Sequence, residues 1–192
     1  CATNPFTGKK TMAFMPNSQL LPMAFAEYDK FLSENKVIKE TSDAEMISRV
    51  GQRISVAAER WLDANNHQGY LKDYEWEYNL VEDESVNAWC MPGGKIVFYT
   101  GILPVAKNEA GIAAIMGHEV AHALANHGQQ RMSAGMIQQA GAIGVAAASN
   151  DKSSTEQRIW MQAYGVSSSV AGVLPFSRSH ETEADKIGLY LM

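Results

Sequence analysis

Cysteine is scarce in this chain, with Cys1 and Cys90 the two examples in 192 residues. That is too few for the disulfide framework that holds together small secreted domains, so any fold must rest on a hydrophobic core. Long apolar runs are missing too. The longest weakly polar stretch, 133–149, is interrupted by Gln138 and Gln139 and falls short of the roughly 20 apolar residues that a spanning helix needs. No transmembrane helix is expected. Basic charge is not in excess either: 16 Lys and Arg against 21 Asp and Glu leave a net charge of -5. The cations are scattered instead of gathered on one face, which argues against nucleic acid as a partner.

What the chain does have is enough apolar sequence for one domain with a real core, 46% against 19% charged, so disorder is not the default. Residues 1–17 contain Pro5, Gly8, Pro16 and Asn17 without an apolar period, and read as a tether or extended arm ahead of a domain spanning 18–192. From Leu20 to Leu32 the apolar residues recur at helical spacing. Ser42 with Glu45 reads as a capping box opening a second helix, whose stripe is Met46, Ile47, Val50, Ile54, Ala57 and Trp61.

The period then changes to two. Tyr74, Trp76, Tyr78 and Leu80 alternate with Glu75, Glu77 and Asn79, the pattern of a strand with one buried face. Strands at 86–91 and 95–99 meet at a Pro92-Gly93-Gly94 turn, so a small antiparallel sheet is expected. A helix from Asn108 or Glu109 runs to about Asn126, where His127-Gly128 ends or bends it. Residues 129–149 and 156–173 suggest a helical hairpin closed by Pro175, and a last helix from about Ser179 carries Glu181, Asp185 and Leu189. The fold class is α+β and mainly helical.

The chemistry concentrates in His118-Glu119-Val120-Ala121-His122. On a helix, histidines four residues apart project from one face and can share one metal ion, for which imidazole nitrogens suit zinc. Glu119, one position after the first histidine, can act on the attacking water instead of the metal. Two histidines do not complete a catalytic zinc site, which usually has three protein ligands. Candidates for the third are His127, His180, Glu181, Glu183 and Asp185. Glu181 and Asp185 stand i,i+4, so one can bind the ion while the other holds a liganding histidine by hydrogen bond.

Four stretches, Asn87 to Gly94, Thr100-Gly101-Ile102-Leu103, His118 to His122, and Ser177-Arg178 through Glu181 to Gly188, resemble the gluzincin zinc metallopeptidases that include HtpX and the CAAX prenyl proteases. The similarity is greatest to the soluble or lipoprotein periplasmic members of that family. The resemblance implies a zincin-like domain, Glu181 as third ligand to one zinc per chain, and Asp185 as the partner that some descriptions of the family count as catalytic. It also implies substrate addition to a strand edge through Asn87, Ala88, Cys90 and Gly93, with one of Ala88 and Cys90 expected to turn its amide to that edge. The same residues also suit an ordinary hairpin. His127 and His180 are candidates for lining the pocket and touching a tetrahedral intermediate.

Cys1 leads the polar arm in the layout of a mature bacterial lipoprotein, so acylation at Cys1 and a membrane-tethered periplasmic location are expected, with membrane contact through that anchor alone. A boundary chosen for expression or a disulfide with Cys90 are the alternatives. Family domains continue past the Glu181 helix, so truncation at the C-terminus is expected as well. The expected function is zinc-dependent endopeptidase action on polypeptides, chiefly unfolded or misfolded envelope proteins in quality control. The alternative is a chaperone or assembly factor that keeps the fold and rarely cleaves. A closed structural metal site fits poorly with Glu119 in the motif.

Overall fold

The structure, a computed structural model, describes residues 2–150, 152–168 and 174–192. Apolar spacing sets the first helices. α1 (Asn17–Glu34) buries Leu20, Leu21, Ala24 and Tyr28. α2 (Ser42–Ala64) buries Ile47, Val50, Ile54, Ala58 and Leu62. Its cap is Thr41, whose hydroxyl accepts from the Ala44 amide at 3.2 Å, one residue before the expected Ser42 capping box. Ala57 and Trp61, expected on the buried stripe, stand one position off it and are partly exposed.

Two short strands, β1 (Ala2–Thr3) and β2 (Lys10–Thr11), pair antiparallel within the segment expected to be a tether. This segment is docked: Phe6 stacks on Trp61 with ring centroids 4.3 Å apart, Asn4 is buried, and the Gln129 side-chain amide donates to the Met15 carbonyl. Its anchors are single residues, so no periodicity advertises them. Cys1 lies outside the described residues.

The main sheet contains β3 (Val37–Ile38), β4 (Glu77–Val81), β5 (Ala88–Met91) and β6 (Lys95–Tyr99) in the order β3-β4-β6-β5. It is mixed, which corrects the antiparallel sheet read from the sequence: β4 and β6 run parallel. β5 reverses the chain, and β6 returns in the direction of β4 and slots between the two. Alternation of side chains identifies a strand but not its neighbour or direction. β4 also starts three residues later than the Tyr74 alternation. The β5–β6 turn uses Gly93 and Gly94 at φ of +88° and +85°, where a side chain would be strained. Ile96, Phe98, Leu80 and Ala88 face α2 and the main core, while Val97 and Val81 face Tyr28 of α1.

After a 3-10 turn (Thr100–Ile102) and the short α3 (Leu103–Ala106), α4 (Glu109–Leu124) starts at Asn108, whose side chain accepts from the Gly111 amide. α4 ends at Leu124, the chain turns at Asn126, held at φ +58°, and His127 opens the next helix instead of ending this one. α5 (His127–Ala148) and α6 (Ser154–Ser168) form the expected helical hairpin, with the Tyr164 hydroxyl donating to the Gln138 carbonyl at 3.0 Å. The part of that expectation covering 169–173 lies outside the described residues.

α7 (Leu174–Leu191) begins five residues before Ser179. Pro175 therefore sits in its first turn, where the missing N–H costs little, and does not close the hairpin. α7 crosses α4 at a pair of glycines: a Cβ on Gly188 would lie 3.1 Å from the backbone of Gly117 and His118. Among the described residues, no helix is long and apolar enough to cross a membrane.

Candidate metal centre

The glycine contact between α4 and α7 brings the acidic face of α7 over the two histidines of α4. His118 Nε2 and His122 Nε2 lie 3.0 Å apart, and the two Glu181 carboxylate oxygens stand 3.3 Å from His118 Nε2 and 3.5 Å from His122 Nε2. The ligand atoms of all three residues fall within 4.8 Å of one another. Glu183, His127 and His180, the other candidates for third ligand, are turned to other partners, and Asp185 meets the far nitrogen of His118.

The tautomers follow from the hydrogen bonds. His118 Nδ1 donates to Asp185 Oδ1 at 2.8 Å, which in the neutral imidazole leaves Nε2 as the lone pair. His127 Nε2 donates to the Glu183 carboxylate at 3.1 Å, so its Nδ1 is the acceptor and His122 Nδ1 donates to it at 2.9 Å. His122 Nε2 is then a lone pair as well. Two imidazole lone pairs and a carboxylate brought within 4.8 Å of one another form a donor set that fits a cation. Two imidazoles and a carboxylate are ligands suited to zinc, with room for one more. The Arg131 guanidinium donates to Glu181 Oε1 at 3.2 Å and restrains the carboxylate.

Burial governs the electrostatics. It lowers the pKa of His122 against the opposing charge of Glu181, and pushes His127 down to about 3 and His180 to about 4. The rings of His127 and His180 are neutral at physiological pH. Glu119 is pushed up to about 7, first by burial and further by Glu181, with His118 and Arg131 acting in the opposite sense. A cation beside it would lower that value.

A cavity of about 300 Å³ opens over the centre, walled by Glu119, His118, His122, Arg131, Trp89 and Cys90 among others. A larger one, about 560 Å³ between α2, α4 and the end of α7, contains the Arg53–Glu109 ion pair but no histidine.

β5 forms the outer edge of the sheet beside the cavity over the histidines. The Tyr99 amide donates to the Asn87 carbonyl at 3.1 Å, and with Ala88 opposite Phe98 and Cys90 opposite Ile96 the two-residue alternation directs Trp89 and Met91 to β6. Ala88 and Cys90 therefore both turn their backbone amides to the open edge, which corrects the expectation of one; positions two apart share an edge. Gly93 is placed differently from the other three. It packs under α1, where a Cβ would run into the Phe25 ring, and Pro92 contributes to the cavity wall instead.

His127 touches the cavity, yet both its nitrogens are taken by His122 and Glu183, so neither faces a substrate. His180 is buried against Gln130 and stacks on His127 at 4.0 Å. The His127–Glu183 connection and the role of Arg131 went unread in the sequence. The five-residue step from His122 to His127 was the available signal.

A helix bearing a His-Glu-x-x-His motif, crossed by a second helix that supplies a carboxylate and flanked by an open strand, defines a zincin-like metallopeptidase domain. Residues 48–192 match the family described as Peptidase family M48, and the chain belongs to that family. It is similar to the mitochondrial metalloendopeptidase OMA1 of Schizosaccharomyces pombe, 38% identical over 122 residues, covering 64% of this chain and 34% of the relative. With OMA1 of Arabidopsis thaliana it shares 30% identity over 175 residues, 85% of this chain and 33% of the relative. The beta-barrel assembly-enhancing protease of Escherichia coli is 22% identical over 136 residues, 61% of this chain and 24% of the relative. The chain thus spans about a third or less of the length of these relatives.

Proposed function

We propose that this chain carries the catalytic centre of a zinc-dependent endopeptidase acting on unfolded or misfolded envelope proteins. The observation that carries the reading is the pair of imidazole lone pairs 3.0 Å apart, closed by Glu181, with Glu119 in the adjoining cavity wall. Zinc, when bound, supplies a Lewis acid and lowers the pKa of an attacking water. Glu119 accepts the proton of that water and delivers it to the leaving amine. Asp185 holds His118 in its metal-facing tautomer, and Arg131 limits the swing of Glu181. Ala88 and Cys90 offer main-chain hydrogen bonds to an extended substrate, a mode that reads backbone and tolerates many sequences. It suits unfolded chains.

The envelope assignment draws on the relative named for beta-barrel assembly; the relatives named mitochondrial point to a different compartment. A periplasmic location with an acylated Cys1 belongs to this proposal, and intact-mass analysis of protein from its native host checks it. A chaperone reading is favoured by the exposed apolar side chains of the α5–α6 hairpin, among them Ile143 and Trp160.

Two substitutions test the division of labour. Glu119→Gln should keep close to one zinc per chain while cleavage of an unfolded protein falls about 100-fold or more, the usual scale for a general base. Glu181→Gln removes the anionic ligand, so zinc affinity should drop and activity should partly return with excess zinc. Near wild-type cleavage by Glu119→Gln would refute the assignment of the base. Holdase activity indifferent to chelator, with no cleavage by wild type, would replace the peptidase reading by the chaperone one.

A further inference from the structure

We propose that the N-terminal hairpin is a working part of the metal centre, acting through a buried chain of hydrogen bonds from Asn4 to Glu183, His127 and His122. The inference rests on the zinc reading above. Asn4 Nδ2 donates to Glu183 Oε1 at 2.9 Å, His127 Nε2 donates to Glu183 Oε2 at 3.1 Å, and His122 Nδ1 donates to His127 Nδ1 at 2.9 Å. Each link uses a different atom, so none competes with another. The chain is also largely buried: Asn4 and His127 are 1% and 0% exposed, and the Glu183 side chain is 11% exposed.

Burial makes the direction of this chain matter. An imidazole can turn over or exchange tautomers when alternative partners are at hand, and here both nitrogens of His127 are already engaged. Glu183 accepts only, so the ring of His127 must present its proton to Glu183 and its lone pair to His122. His122 is thereby held with Nε2 free for the ion. Asn4 occupies the second oxygen of Glu183, which would otherwise be a half-paired buried carboxylate free to rotate away from His127. The His180 ring stacked on His127 at 4.0 Å and 9° between planes blocks the remaining freedom to tilt. Asp185 gives His118 a single exposed carboxylate as partner, whereas His122 receives a relay reaching across 179 residues of sequence. Asn4, Glu183 and His127 are positioning residues for a metal ligand.

The test is zinc affinity by competition with a chromophoric chelator, together with the visible absorption spectrum of the Co2+-loaded protein, for wild type, His127→Phe, His127→Gln, Asn4→Leu and the His127→Phe/Asn4→Leu double variant. His127→Phe keeps a stacking ring but removes both nitrogens, so zinc affinity should fall about 10- to 100-fold, the range seen when the partner of a liganding histidine is lost, and the Co2+ spectrum should shift. His127→Gln can accept from His122 and donate to Glu183, so it should recover most of the affinity. Asn4→Leu should weaken zinc several-fold alone and add nothing in the His127→Phe background, because the relay is already cut there. Variants that melt at lower temperature but bind zinc with wild-type affinity and an unchanged Co2+ spectrum would overturn the inference, as would an additive double variant. Wild-type protein that takes up no zinc would instead refute the underlying zinc reading, and the inference with it.

Discussion

Two pairs of helices of similar length are held in opposite ways. α4 and α7 bury Ile112, Met116, Val120, Ala184, Ile187 and Leu191 in the main core, with backbones touching at Gly117 and Gly188. The buried residues of α5 are His127, Gln129, Gln130 and Ser133, all polar and all in its first two turns. Beyond them Ile143, Ile159 and Trp160 stand 66%, 60% and 55% exposed. The first pair is fixed by close packing of side chains and backbone. The hairpin is attached at its base by hydrogen bonds and has little apolar burial to resist opening. The candidate metal centre sits where the first kind of contact meets the second, since α5 supplies His127 and Arg131 from its attached end.

The sharpest way to break this contrast is Gly188→Val. Its added atoms would meet the backbone of Gly117 and His118, so α7 has to move outward and carry Glu181 away from the histidines. Zinc binding should be lost, and overpacking should cost about 1–3 kcal/mol of stability, read by chelator competition and thermal melting. A Gly188→Val protein with wild-type zinc affinity would show that the crossing does not set the site.

The strand edge comes next. Ala88→Pro and Cys90→Pro should both weaken cleavage severalfold while keeping zinc, because each removes an amide from the open edge. Trp89→Pro deletes a donor to β6 and should instead destabilise the sheet. Steady-state kinetics and zinc content separate the cases, and unchanged kinetics in both edge variants would remove the substrate-pairing role.

Acid should act on the same base of α5. His127 and His180 have pKa values lowered from 6.5 to about 3 and about 4, so between those values and 6.5 the unfolded chain binds more protons than the folded one. Their contribution is complete above pH 6.5 and is lost as pH falls toward 3. Melting temperature with excess chelator present should therefore drop between pH 7 and pH 4, and less so in His180→Phe. The smallest effect belongs to the outer hairpin: Ile143→Ser and Trp160→Ser should each change stability by about 0.5 kcal/mol or less in chemical denaturation. A loss above 2 kcal/mol would mean that this hairpin is packed as α4 and α7 are.

Local pattern carried the helices well because a buried stripe such as Ile47, Val50 and Ile54 has to recur at the helical period. It carried His118, Glu119 and His122 for the same reason, since their relation is set by the turns of a single helix. Glu181 and Asp185 were legible as a pair on one face, though which of them joins the two Nε2 atoms and which the far nitrogen of His118 depends on how α7 crosses α4. The sequence alone also determined that the chain has enough apolar residues for a core, no excess of basic charge and a strand ending in a Pro-Gly-Gly turn.

Tertiary structure decided everything that joins distant segments. The parallel pairing of β4 with β6, the docking of residues 2–16 and the reach of Asn4 to Glu183 leave no periodic trace, because each depends on a few contacts between positions whose spacing along the chain is arbitrary. The edge on which Ala88 and Cys90 lie was settled by register with β6, and the tautomers of the three histidines by partners brought in on α5 and α7. A helix repeats its geometry every 3.6 residues and so can be read locally. The contact between two helices is set by the packing of both, and here it turns on two glycines 71 positions apart in number, Gly117 and Gly188, that let the backbones close.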